Sequence, residues 1–297
     1  MMFCGIMAQR DSDVAVVGHF SIDSIRLPHR AEPFVVMGGS VAYVSLVARL
    51  LGTSVSVVSK VGGDFPEAYL WWLREKCIDL ANVAKVVDEK STRFELIYNV
   101  DFLDRTLKLK SKAPDLAARD LPNDLCAKII HIAPIAGEIP LEVVEKLRNC
   151  GEILSLDPQG MTRSFDKNGN VAYASQMNER VLSLIDVYKS SLDEIKILTS
   201  KTDLNDALRA VHAFGPKIVI ATMGTKGSVV SAQDALYNVP ACQSTKVVDP
   251  TGAGDVFIGG FLAEYTNQKD VLWCACVASA AASLVVEGVG PTYLGDA

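Results

Sequence analysis

The pattern that most constrains this chain is a repeated alternation of short, continuous apolar runs with segments of helical periodicity. Asp13–Gly18 (DVAVVG), Val55–Val58, Ile129–Ile132, Ile153–Leu156, Ile218–Ala221 and Val229–Ser231 are rich in β-branched residues and lack a wet face. Strands buried on both sides read this way. Between them, Val41–Leu51, Pro66–Lys76, Leu141–Asn149, Asn178–Ile185, Ser191–Leu198 and Leu204–Phe214 carry apolar residues at helical spacing. The alternation predicts a three-layer α/β/α sandwich around a mainly parallel central sheet.

Two segments break the rule. Ser21–Met37, interrupted by Pro28 and Pro33, reads as a pair of short strands. Thr92–Leu109 sets Phe94, Leu96, Tyr98 and Val100 at alternate positions, the mark of a strand with one wet face. Together, segments at about 20–37 and 92–110 predict a small β-sheet lid over one edge of the main sheet. With 297 residues, 49% of them hydrophobic, the chain can bury one large core plus such an accessory layer. No repeat or linker divides it, so one domain is expected over 13–297, after a ragged N-terminus at 1–12.

Bulk properties narrow the partners. A net charge of −6 disfavours nucleic acid, whose binding needs clustered Lys and Arg. The longest uncharged apolar stretch, Val271–Val286, is shorter than the roughly 20 residues of a membrane span, so no membrane partner is expected. Seven cysteines are odd in number, scattered and free of Cys-x-x-Cys, which suits reduced thiols and a cytoplasmic protein. His19, His29, His131 and His212 show no metal-ligand spacing. His131 reads as a core residue, and His19, ending the first strand, is a candidate for a pocket border. Trp71 and Trp72 read as helix packing.

The chemistry concentrates at Asp249-Pro-Thr-Gly-Ala-Gly-Asp255, followed by an apolar helix-like segment. Small residues at 252–254 let successive backbone N–H groups converge, and a helix N-terminus offers free donors to an anion. A carboxylate beside that anion fits the acceptor of a proton from an attacking hydroxyl. The bland alternative is a glycine-rich turn with an Asp cap. Absence of Gly-Lys-Ser/Thr excludes a P-loop, and absence of Gly-x-Gly-x-x-Gly after the first strand argues against a nicotinamide dehydrogenase.

Residues 249–255 resemble the C-terminal motif of the ribokinase (PfkB) carbohydrate kinases, with the following Phe257-Ile258-Gly259-Gly260 matching its Phe-x-Gly-Gly. Gly38-Gly39, Val61-Gly62-Gly63-Asp64-Phe65 and Thr222-Met223-Gly224-Thr225-Lys226-Gly227 resemble further elements of that family, in order across about 13–290. The resemblance implies a ribokinase-like fold and transfer of the γ-phosphate of ATP, with Mg2+, to a substrate hydroxyl. It implies Asp255 as the base and Gly252, Ala253 and Gly254 as the anion hole. It places Asp23 on substrate hydroxyls, where a carboxylate can accept from two neighbours at once. Gly38, Gly39 and Tyr43 border the substrate in this reading. Ser191, Thr222, Gly224 and Gly227 line the nucleotide, Glu194 is linked to Mg2+, and Asp249 belongs to a loop that in some members binds a monovalent cation such as K+. Pairing of lid sheets implies a homodimer as one arrangement.

Departures from the pattern fall mostly on the acceptor. Ser21 stands where many members have Asn, Tyr43 replaces an Asn of ribokinase itself, and Ser191 replaces the Asn of Asn-x-x-Glu. Gly38–Ser45, Val58–Phe65, Ser91–Glu95, Leu156–Arg163 and Tyr188–Ser191 resemble the myo-inositol kinase branch, which adds Gln159 and Arg163 as pocket or phosphate contacts. A cyclic polyol such as myo-inositol is therefore the expected acceptor. Another sugar or sugar acid (ribose, fructose, 2-keto-3-deoxygluconate), a nucleoside, and a non-catalytic ligand sensor are the alternatives.

Overall fold

The computed structural model describes residues 12–28, 30–100, 105–173, 178–244 and 246–292. The ragged start expected at 1–12 lies outside them except for Ser12, as do His29 and the 101–104 stretch of the second lid segment.

A nine-stranded sheet forms the middle layer. Its strands in chain order are β1 (Ser12–Val17), β4 (Val55–Gly62), β5 (Ile78–Val86), β8 (Ala127–Ile132), β9 (Gly151–Leu156), β12 (Val187–Ser191), β13 (Ile218–Thr222), β14 (Ser228–Ala232) and β15 (Ala235–Val239). Across the sheet they run β15-β14-β13-β12-β9-β8-β1-β4-β5. All pairings are parallel except those of β14 and β15, which close one edge as antiparallel hairpins.

Strand β1 shows why the runs are apolar throughout. Val14 and Val16 join one core cluster, while Ala15 and Val17 join another on the opposite face. The first face is covered by α1 (Ser40–Leu50), α2 (Glu67–Glu75), α7 (Ala253–Thr266) and α8 (Val271–Val285). The second is covered by α3 (Leu141–Leu147), α4 (Glu179–Leu182), α5 (Leu192–Thr199) and α6 (Leu204–Phe214).

The half-wet segments form a separate four-stranded sheet, β3-β2-β6-β7, from β2 (Ser21–Arg26), β3 (Phe34–Gly38), β6 (Thr92–Tyr98) and β7 (Arg105–Ser111). Two expectations change here. Thr92–Leu109 is not one strand: β6 and β7 are antiparallel and pair Tyr98 with Arg105, so the chain reverses between them. The small sheet also covers the carboxyl ends of the central strands, not an edge. A short hairpin, β10 (Arg163–Phe165) with β11 (Val171–Tyr173), adds to its rim.

The helix read at Asn178–Ile185 shrinks to α4, capped by the Asn178 side chain, which accepts from the Arg180 N–H. Strands β5, β12 and β15 escaped the apolar pattern. Half-exposed residues interrupt β5 and β15, and Lys189, Ser190 and Ser191 interrupt β12. No described helix is long and apolar enough to cross a membrane.

Candidate active site

Between the small sheet and the carboxyl ends of the central strands lies a cavity of about 780 Å³. Asp23, Gly39, Tyr43, Gln159, Arg163, Ser191, Glu194, Thr222, Gly224, Gly252, Gly254 and Asp255 all border it, drawn from widely separated parts of the chain. Gly38, Ala253, Gly227 and Asp249 do not. Gly38 lies behind Asp23, where a Cβ would fall 2.0 Å from the carboxylate. Gly227 shapes the turn after β13, with its N–H on Gly224 O and its own carbonyl taking the Met223 N–H.

The floor of the cavity is the amino end of α7. Gly252 caps it in the left-handed region at φ 80°, which a side chain would strain. Val256 N–H makes the first α-helical bond, to Gly252 O, so the N–H groups of Gly254 and Asp255 precede the ladder and are free to meet an anion. The Tyr43 ring lies directly under Gly252, where any Cβ would strike it. Tyr43 thus supports the loop that opens α7 as well as bordering the cavity.

Asp255 is buried, and its Oδ1 has no hydrogen-bond partner among the described residues. Burial and the Asp157 carboxylate push its carboxyl up to about 6, against a pull from the Lys189 ammonium. Asp23, also buried, takes a 2.6 Å hydrogen bond from Ser21 Oγ. Burial raises it to about 7, with Asp249 and Asp255 adding to the rise while Ser21 and Arg105 oppose it. Two carboxyls poised near neutrality in one cavity are suited to exchanging protons with bound hydroxyls.

A relay of donors ties the small sheet to this loop. Thr251 Oγ1 gives its single proton to Asp249 Oδ1 at 2.6 Å, so Tyr98 OH donates to Thr251 at 2.8 Å. Arg105 Nη1 in turn donates to Tyr98 OH at 3.0 Å. Asp249 is fully buried, and its Oδ2 has no partner among the described residues. That orphaned oxygen fits a loop that holds a cation.

Ser191 and Glu194 form a capping box at the start of α5. Glu194 Oε2 accepts from Ser191 N–H and Oγ, leaving the other oxygen available to a metal. No cluster of three or more metal-ligating side chains occurs among the described residues. Arg163 Nη1 donates to Gln159 Oε1 at 2.6 Å, which couples the two residues just past β9.

His19 does not border the cavity. Its ring is buried against Thr92 Oγ1 and Pro114 O. His131 is a core residue paired to Ser155 Oγ, and burial drives it down to about 3. Trp71 is exposed and Trp72 partly packed. Several cavity residues were given no role by the sequence: Phe94, Leu96 and Leu107 on the small sheet, Ile135 after β8, Tyr173, Arg105 and Lys189, although Phe94 and Lys189 lie in segments that resemble the inositol kinase branch. The alternation of β6 signalled the first two.

Residues 11–295 match the pfkB family of carbohydrate kinases. The chain is 30% identical over 268 residues to a cytidine kinase of Thermococcus kodakarensis, covering 88% of this chain and 91% of that one. It is 29% identical to a nucleoside kinase of Methanothermobacter thermautotrophicus, over 94% and 91% of the two chains. A pyrophosphate-dependent kinase of the ribokinase family, solved with a pyrophosphate analogue and myo-inositol, superposes with a TM-score of 0.82 at 25% identity over 94% and 96%.

Proposed function

Because the chain belongs to the pfkB family of carbohydrate kinases, and is a phosphotransferase acting on hydroxyl groups of sugars or nucleosides, we propose that its acceptor is a ribonucleoside. The observation that carries this reading is the make-up of the acceptor half of the cavity. Asp23 offers a buried carboxylate for vicinal hydroxyls, while Phe94, Leu96, Leu107 and Ile135 build an apolar wall beside it. A ribose diol joined to a flat base matches both parts, since the base gives its face to the apolar wall. A cyclic polyol carries a hydroxyl on every carbon and would leave that wall against polar groups, at a desolvation cost. The names of the nucleoside and cytidine kinases among the relatives support the same assignment.

In this mechanism Asp255 takes the proton from the attacking hydroxyl as its oxygen bonds to the terminal phosphorus of the donor. The phosphoanhydride bond breaks, and its electrons leave with the nucleoside diphosphate when the donor is ATP. Free N–H groups of Gly254 and Asp255 stabilise charge on the moving phosphoryl group. Ser191, Thr222 and Gly224 border the donor, and Glu194 would hold Mg2+, which neutralises phosphate charge when bound. Asp249 would hold a monovalent cation through its unpartnered oxygen. The small sheet excludes water, so that phosphate reaches the acceptor and not solvent.

Myo-inositol is the second reading. It is favoured by the Gln159–Arg163 pair after β9 and by the ligand of the superposed kinase. A coupled ADP-release assay over cytidine, adenosine, uridine, myo-inositol, ribose and fructose separates the two. Highest kcat/KM on a nucleoside is the expected result, and turnover of myo-inositol alone would overturn it.

A further inference from the structure

One charged pair at the cavity has no part in the roles above. Lys189, on β12, is 5% exposed in its side chain and forms a 2.6 Å salt bridge with Asp157, which is 1% exposed and follows β9. Asp157 is itself fixed, since its Oδ1 accepts from the Gln159 N–H at 3.2 Å. Such a pair deep in a protein is weak evidence for stability, because taking both charges out of water offsets their attraction. Its position suggests another use.

The side chain at 189 leaves the sheet on the same face as Val187, the face that packs against α7. There its ammonium meets the amino end of the helix. A Cβ on Gly254 would lie 2.8 Å from Lys189 Nζ, and Lys189 lines the cavity beside Gly252, Gly254 and Asp255. An ammonium carries three donors. One goes to Asp157, and no other hydrogen bond from Nζ is made within the protein among the described residues. Burial pulls the ammonium down, but the Asp157 and Asp255 carboxylates outweigh it and hold it above the ordinary lysine range. The lysine is therefore a fixed positive charge next to the free N–H groups of the anion site.

We infer that Lys189 is a catalytic residue that contacts the phosphoryl group in transfer, with Asp157 as the positioning residue that aims it. The shared chemistry recognised is the terminal phosphate of a phosphoanhydride, whether supplied by a nucleoside triphosphate or by inorganic pyrophosphate. During transfer, negative charge builds on the bridging oxygen of the leaving group and spreads over the equatorial oxygens. A preorganised ammonium at that point needs no solvent reorganisation to meet it. The proton stays on Lys189 throughout, and Asp255 remains the acceptor of the hydroxyl proton. The inference rests on phosphoryl transfer and not on which acceptor is used.

The test compares Lys189→Met with the double variant Lys189→Met/Asp157→Leu, which replaces the ion pair by apolar groups of similar size and keeps the fold if the single variant does not. Both are expected to lose about 10²-fold or more in kcat, with acceptor KM within about threefold. Calorimetric titrations need no acceptor. At least one of ATP and pyrophosphate, tested separately, is expected to bind about tenfold more weakly to the variants, with ADP affinity held within about twofold. Whichever of ATP and pyrophosphate loses affinity identifies the donor whose terminal phosphate Lys189 meets. A folded double variant with kcat within threefold of wild type would overturn the inference. So would an equal loss for ADP and ATP with pyrophosphate unaffected, because that would place the lysine elsewhere on the nucleotide. Failure of the nucleoside assignment instead shows as a shifted acceptor profile in the wild-type enzyme.

Discussion

At the scale of residues, the site depends on carboxyls held where they ionise with difficulty. Asp255→Asn keeps the shape and removes the proposed base. It is expected to lower kcat by about 10²–10⁴-fold while nucleotide affinity changes little, as read by steady-state kinetics and titration with ADP. The pH dependence follows from Asp23 near 7 and Asp255 near 6. As pH falls, kcat/KM should start to decline near 7 and steepen near 6, and Asp23→Asn should remove the upper inflection. Stability runs the other way. Between about pH 4 and pH 7 the folded chain keeps protons on these groups that the unfolded chain has released, so stability falls as pH rises through that window. Asp23→Asn should therefore be more stable than wild type at pH 8, by on the order of 1–3 kcal/mol, an advantage that vanishes below about pH 4. Chemical denaturation at the two pH values checks it.

At the scale of elements, the small sheet and the anion loop are joined by side chains that no local pattern announces. The relay from Arg105 through Tyr98 and Thr251 to Asp249 connects β7, β6 and the loop before α7. Tyr98→Phe deletes its middle member. The expected result is an acceptor KM raised about five- to thirtyfold, corresponding to roughly 1–2 kcal/mol, with little change in melting temperature. An unchanged KM would show that the connection plays no part in holding the acceptor. The same feature marks a limit of sequence reading. Periodicity located β6, because half its side chains face a core, and glycine spacing located the anion loop, because backbone geometry there demands small residues. Tyr98 was legible as an inward position but not as a partner of Thr251, since that pairing exists only once the two sheets meet. Lys189 shows the opposite case. Together with Ser190 and Ser191, it hid the strand that contains it, because β12 has no continuous apolar run.

At the scale of the whole molecule, the central sheet was legible because most of its strands are buried on both faces and so cannot alternate. The edge strands β5 and β15 were not, since their half-exposed residues dilute the apolar signal. The cavity gathers residues from Ser21 to Asp255, so ligands bind the assembled structure and not its parts. Acceptor and donor analogue, each at 100 times its Kd, should each add about 2.7 kcal/mol of apparent stability, read as a rise in Tm.

The parallel pairing of β2 with β6 has a kinetic consequence. It joins Ser21 to Thr92, and the intervening chain includes α1, β4, α2 and β5 of the main layers. Closing so long a loop costs entropy that local helices and hairpins do not incur, so such contacts form slowly. Far-UV circular dichroism should therefore recover early on dilution from denaturant, and catalytic activity should return in a later phase. If activity and ellipticity returned together, the small sheet would have to assemble in the same step as the layers that separate its strands in the chain.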